Sequence, residues 1–129
     1  MAARRTTSLL FAAAAVLAGC SAGSLLGPEA PQGVEGTVLI GPQCPVAIAS
    51  DPCPDLPFEA TLDIWDDGGS YITRVRSGPD GRFRVGLLAG DYVIEPESGS
   101  PFPWAGAVEV RVDDGRWSEV TVHYDTGIR

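Results

Sequence analysis

Apolar and polar residues alternate one by one along most of the chain from residue 33 onward, and this period of two constrains the fold most. Residues 58–64 (FEATLDI) and 108–112 (VEVRV) are the clearest examples. Such alternation is typical of a strand with one face in a core and the other in solvent. We predict seven strands, at 33–40, where Gly36 blurs the phase, and at 58–64, 71–76, 83–87, 92–94, 108–112 and 120–124. They predict an all-β fold, a seven-stranded antiparallel two-sheet sandwich over residues 33–129.

Asp, Gly and Pro fill the gaps between these segments. Residues 66–69 (DDGG), 79–81 (PDG), 89–91 (AGD) and 113–115 (DDG) have the residue types that tight hairpins need for positive φ angles. The paired aspartates could also bind Ca²⁺, but their spacing is not that of a dedicated calcium loop. We therefore expect no metal site and no cofactor.

The first residues are typical of an export signal. Arg4 and Arg5 precede an apolar run at residues 9–18, which as a helix would cover about 15 Å, half of a hydrocarbon core. Residues 17–20 (LAGC) resemble the bacterial lipobox, in which the cysteine is acylated. We therefore predict a signal peptide at 1–19, a lipidated Cys20 and a flexible tether at 20–32. An ordinary signal peptide and twin-arginine export are the alternatives.

A lipidated Cys20 would anchor the chain to a membrane and leave the domain facing the periplasm or the exterior. Ser21 follows the cysteine where an inner-membrane retention signal usually has Asp, which favours the outer membrane over the cell membrane. The net charge of −8 disfavours binding to nucleic acid, which needs a basic surface. Loss of Arg4 and Arg5 with the signal would make the domain still more acidic.

The two remaining cysteines fit an oxidising compartment. Cys44 and Cys53 enclose a short segment rich in proline, and we predict a disulfide between them. A zinc site would need more ligands than two thiols and one distant histidine. Free redox thiols are more often spaced C-x-x-C.

Residues 80–85 (DGRFRV) and 88–94 (LAGDYVI) resemble the D-G-x-F-x-V and L-P-G-x-Y-x-L signature of carboxypeptidase regulatory-like domains. Ala89 stands where that family usually has proline. The resemblance implies a transthyretin-like, or Ig-like, sandwich in which Phe83 and Tyr92 face one core. It implies little about function, because the signature consists of core and turn residues.

We expect no catalytic site. His123 is the only histidine, and the alternation places it on a solvated sheet face, away from Val122 and Tyr124. The transthyretin-like fold includes hydroxyisourate hydrolase, but that enzyme uses several histidines and a different C-terminal sequence. Glu95 and Glu97 are expected to be solvated rather than to act as an opposed carboxylate pair.

Aromatic residues near turns are the candidate ligand-binding residues. Trp104 and Phe102 lie in a proline-rich loop, and Trp65 and Trp117 are next to turns. Exposed aromatics in such loops stack on sugars or anchor partners, although they can also cap the ends of a small core. We therefore expect a non-catalytic envelope lipoprotein acting as a structural or protein-interaction module. The alternative is a module that binds peptidoglycan or another envelope glycan.

Overall fold

The computed structural model describes residues 25–27, 29–46, 48–50 and 52–129. This part of the chain contains strands and turns and no helix. The strands are β1 Leu25–Leu26, β2 Gly33–Gly41, β3 Leu56–Pro57, β4 Thr61–Asp66, β5 Tyr71–Arg76, β6 Arg82–Leu87, β7 Gly90–Pro96, β8 Val108–Val112 and β9 Trp117–Asp125. No helix within the described ranges is available to span a membrane. The predicted signal peptide and Cys20 lie outside these ranges.

The strands form two sheets. In the first sheet β2 is central, with β6 and β3 pairing along one side and β9 along the other, and β1 pairs with the outer edge of β6. The second sheet has the order β5-β4-β7-β8. The predicted two-sheet sandwich is confirmed: the seven longer strands occupy the predicted segments, and β1 and β3 are additional strands of two residues each.

One strand pair departs from the expected antiparallel arrangement. β9 runs parallel to β2 over its whole length, from Gly33 opposite Trp117 to Gly41 opposite Asp125. The cause is the connection after β8, where the chain passes from the second sheet to the first instead of forming a hairpin within one sheet. Alternation of side chains is the same in parallel and antiparallel strands, so the pattern did not distinguish them.

The alternating apolar residues of both sheets meet in one core. Leu62, Ile64 and Ile94 of the second sheet are fully buried, as are Val38 and Val122 of the first. Phe83 and Tyr92 are also buried in this cluster, as the resemblance implied. Removing such side chains from water is the main force that holds the two sheets together.

The sandwich has two ends, which we call the near end and the far end. The near end contains the starts of β2 and β9 at Gly33 and Trp117, and the far end contains their last residues, Gly41 and Asp125. At about 3.3 Å per residue the nine-residue β2 separates the two ends by about 26 Å.

The chain reaches the sandwich at the near end. Leu25 and Leu26 pair with Leu87 and Gly86 of β6. The buried Gln32 side chain donates a 3.2 Å hydrogen bond to the Leu87 carbonyl and accepts a 3.1 Å bond from the backbone of residue 115. Leu25, Leu26 and Gln32, which belong to the segment expected to be a flexible tether, therefore contact the domain.

Candidate functional site

A disulfide-closed loop projects from the far end. Cys44 and Cys53 are joined as predicted, with their Cα atoms 6.0 Å apart. The loop between them follows directly from the end of β2, and Val46 and Ile48 point their side chains into solvent, 72% and 57% exposed. The loop is therefore a covalently closed segment that presents apolar side chains.

Trp104 lies at the same end, on the outer face of the first sheet. Its backbone forms an isolated antiparallel bridge with Asp125, with N···O distances of 3.0 and 2.7 Å in the two directions. Residues directly opposite each other in a ladder point to the same face. Asp125 follows the buried Tyr124, so its own side chain points away from the core. The Trp104 side chain, which lies opposite, points the same way and is 54% exposed.

Asp125 is held by its neighbours in the C-terminal segment. Its carboxylate accepts hydrogen bonds from both terminal nitrogens of Arg129, at 3.2 and 3.0 Å, and from the Gly127 amide at 2.8 Å. The hydrogen bond from Arg129 is the main cause that lowers the pKa of Asp125, and the Gly127 amide and the nearby His123 act in the same direction. Asp125 is therefore a fixed carboxylate on the same sheet face as Trp104.

His123 lies two residues before Asp125 on the same outer face. Its Nε2 contacts the Asp55 carboxylate, and its side chain is half exposed. This agrees with the expected position on a sheet face and adds a partner that the sequence did not indicate. Asp55 reaches this place because residue 41 is glycine: a Cβ there would overlap the Asp55 carboxylate.

His123 and Asp55 correspond to the base and the carboxylate of a catalytic triad, but the described residues place no nucleophile beside them. In the described part of the chain, Asp55 is the hydrogen-bond partner of His123, and no serine, threonine or cysteine bonds to its ring. The described residues also contain no group of three His, Cys, Asp or Glu side chains placed to hold a metal. What the arrangement offers is a flat aromatic surface beside several hydrogen-bonding groups.

Phe102 is the second aromatic at the far end. Its ring packs where a Cβ of Gly127 would stand, and the Arg129 guanidinium lies 5.9 Å from the ring centroid. Phe102 therefore covers the C-terminal segment on one side and stays partly exposed on the other.

The other two candidate aromatics lie at the near end. Trp65 meets Tyr71 edge-on at 5.4 Å, and its buried indole nitrogen has no hydrogen-bond partner among the described residues. The guanidinium of Arg84 lies 3.7 Å from the centroid of the Trp117 ring, so it occupies one face of that indole. The four predicted aromatics therefore form no single site: Phe102 and Trp104 are at one end, and Trp65 and Trp117 at the other.

An open groove of about 420 Å³ lies on the outer face of the second sheet. Its lining includes Asp91, Val93, Glu109 and Arg111. Arg111 is already paired with Asp91 at 3.5 Å, and none of the four candidate aromatics lines the groove. It therefore lacks the exposed aromatic surface that distinguishes the far end.

The architecture defines the class of protein as a small two-sheet β-sandwich, and two comparisons with solved structures agree. The chain is similar to GBS52, the minor pilin of Streptococcus agalactiae, with a TM-score of 0.57 and 14% identity over 74% of this chain and 44% of the pilin. It is also similar to the Bacillus anthracis TIE protein, with a TM-score of 0.50 and 14% identity over 74% of this chain and 17% of that protein.

The chain thus spans less than half the length of either structure. No protein-family model and no curated protein sequence matches it. At this identity the similarity shows the fold alone. The resemblance to carboxypeptidase regulatory-like domains therefore stays a prediction beyond the sandwich itself.

Proposed function

We propose that this chain is a lipid-anchored protein of the cell envelope whose sandwich, of the carboxypeptidase regulatory-like type, is a non-catalytic structural or protein-interaction module. The observation that carries this proposal is the distribution of exposed apolar side chains. Eight large apolar side chains among the described residues are exposed, and five belong to the far end: Val46, Ile48, Leu56, Phe102 and Trp104. Exposed apolar clusters on small domains usually mark contact surfaces.

The near end carries the other three exposed apolar side chains, Leu25, Tyr71 and Leu88, but differs from the far end in its charge. The turns 66–69 and 113–116 and the start of β7 bring Asp66, Asp67, Asp91, Asp113 and Asp114 to this end. The chain arrives here from Cys20, the predicted lipidation site. Anchoring through Cys20 on the cell membrane or the outer membrane would therefore point the far end into the periplasm or the exterior.

The disulfide loop suits a protein partner. Val46 and Ile48 offer apolar contact but no stacking plane and no side-chain hydrogen bonds, which a glycan would require. The disulfide and the prolines restrict the loop before binding, so less conformational entropy is lost on contact. A matching surface on the partner would be an apolar groove.

The minor pilin among the structural neighbours supports this role by analogy of fold, since a sandwich of this kind occurs there in a pilus protein.

Anchoring is tested by replacing the predicted lipidation site. We expect Cys20→Ala to move the protein from the membrane fraction to the soluble fraction. Unchanged membrane association of the variant would contradict the lipid anchor.

The interaction surface is tested by photo-crosslinking in intact cells. A photoreactive residue at Ile48 should give a discrete crosslinked species that disappears in a Val46→Asp background. The same probe at the exposed Glu119 on the sheet face serves as the matched control and should give none. Equal crosslinking from both positions, or a product insensitive to Val46→Asp, would contradict this use of the loop.

Glycan binding is the second candidate, and the exposure of Trp104 beside fixed polar groups favours it. Peptidoglycan and other envelope glycans would surround a domain held in this compartment. This function uses Trp104 and the sheet face, whereas the protein contact tested above uses Val46 and Ile48 of the disulfide loop.

A further inference from the structure

We propose that the outer face of the first sheet at the far end binds a saccharide, with Trp104 stacking on a sugar ring and Asp55, His123, Asp125 and Arg129 bonding its hydroxyl groups. This inference deepens the second candidate above and rests on the chain acting as a binding module. It assigns a site and a ligand class from residues that four different segments bring together.

Trp104 supplies the platform. The two backbone hydrogen bonds with Asp125 fix its position at the edge of the sheet. Its Cη2 atom lies 3.4 Å from where a Cβ of Gly106 would stand, so the ring rests on the loop at one edge. More than half of the residue remains in solvent. A large aromatic ring that is fixed at its base and open on one side can stack on a flat apolar surface with little loss of entropy.

The polar groups around Trp104 are already oriented. Arg129 donates from two nitrogens to Asp125 and from one of them also to the Ile128 carbonyl, and its side chain remains 68% exposed, with further N–H donors. His123 is oriented by Asp55 through Nε2, and the other ring nitrogen makes no hydrogen bond within the described residues. Exposed ion pairs of this kind contribute little to folding stability, so holding the fold together does not account for their arrangement.

The charge of the cluster selects the ligand class. Two carboxylates face one guanidinium beside a single imidazole, and this excess of acceptor oxygens disfavours a phosphate. The face has polar donors and acceptors on the same side of the sheet as the Trp104 ring, which does not suit an apolar peptide. An uncharged ligand with many hydroxyl groups and one apolar C–H face fits both features, and a pyranose ring is such a ligand.

The test is calorimetric titration of the full-length protein in a detergent without a sugar headgroup. Glucose, galactose, N-acetylglucosamine and chitotriose are the probes. We expect at least one to bind with a Kd of about 1 mM or lower. Trp104→Ala and Asp125→Asn should each weaken it by about ten-fold or more, whereas Trp104→Tyr, which keeps an aromatic ring, should retain binding within a few-fold.

Trp117→Ala is the matched control, because this tryptophan lies at the opposite end of β9 and should leave the affinity unchanged. Circular dichroism of each variant establishes that it is folded before its affinity is compared. No saturation by any probe up to about 10 mM would overturn the proposal. Equal binding by the wild type and Trp104→Ala would also overturn it.

The same titrations separate this inference from the proposed protein contact. Val46→Asp should leave sugar binding unchanged, and Trp104→Ala should leave the crosslink from residue 48 intact. Sugar binding that fails while the crosslink persists would overturn only the saccharide site. Sugar binding without any loop-dependent crosslink would support the saccharide site and contradict the protein-interaction role.

Discussion

Tyr124 is the largest fully buried side chain of the described residues, and its hydroxyl group offers a sharp test of the core. The hydroxyl donates a 2.6 Å hydrogen bond to the Glu97 carbonyl, and the ring meets Phe58 edge-on at 4.9 Å. Tyr124→Phe keeps the ring and leaves the carbonyl without this donor. We expect the free energy of unfolding at pH 7 to fall by about 1–2 kcal/mol.

The pH dependence supplies a second, independent signature of the same contact. Burial, with a smaller contribution from the Glu97 charge, raises the pKa of Tyr124 to about 12 from its ordinary value of 10.0. The unfolded chain therefore loses this proton near pH 10, while the folded chain holds it until about pH 12. The stabilisation is complete below pH 10 and is lost as pH rises through this window.

Each pH unit in the window lowers the free energy of unfolding by about 1.4 kcal/mol, so the loss reaches on the order of 2 kcal/mol by pH 12. Tyr124→Phe has no hydroxyl to ionise and escapes this loss. The variant should therefore be less stable than the wild type at pH 7 and of similar stability near pH 12.

The assay is urea unfolding followed by tryptophan fluorescence at pH 7 and at several pH values from 10 to 12. At neutral pH the melting temperature should also fall by roughly 5–10 °C. Tyr71→Phe, at an exposed tyrosine, is the control and should change stability little. Equal stability of Tyr124→Phe and the wild type at pH 7, or parallel pH profiles above pH 10, would refute the reasoning.

Three further changes test other contacts. Cys44→Ser with Cys53→Ser should lower the free energy of unfolding by about 3 kcal/mol in denaturant titrations, since the closed loop has about ten residues. Gln32→Ala removes two buried hydrogen bonds at the near end, and we expect a loss of about 2 kcal/mol in the same assay. The pKa of Asp125 is lowered chiefly by Arg129, so its stabilising contribution is present above the ordinary value of 3.8 and lost as pH falls further. Asp125→Asn should therefore weaken acid destabilisation in circular dichroism titrations.

Most strands were predictable because every second residue enters one core, although a bulge interrupts this alternation between β4 and β5. Residues 58–64 and 108–112 carry this pattern without interruption, and Asp–Gly pairs mark the reversals between strands. The direction of β9 was not predictable. Side chains alternate in the same way in parallel and antiparallel strands. The parallel direction of β9 follows from the crossing of the chain between the two sheets after β8.

The sequence indicated some of the residues grouped at the far end but not others. Trp104 and Phe102 stand out because aromatic residues in a proline-rich loop have no strand neighbours to pack against. Asp55 and His123 are 68 residues apart, and only the pairing of β2 with both β3 and β9 brings them together. Arg129 follows Asp125 at a spacing of four, but outside a helix that spacing carries no expectation of contact.

The pairing of Leu25 with β6 limits how an anchored sandwich could be presented. If Cys20 carries the lipid, four residues lie between the anchor and the first paired residue, Leu25, and even fully extended this span covers about 18 Å. The acidic near end would then stay close to the headgroups, and the far end would stand about 26 Å beyond it. A lipid-facing role for Trp104 and the disulfide loop would require the domain to turn over on this short linker. Contact with a molecule away from the anchoring membrane requires no such reversal, and this is why the proposed partners are an envelope protein and an envelope glycan.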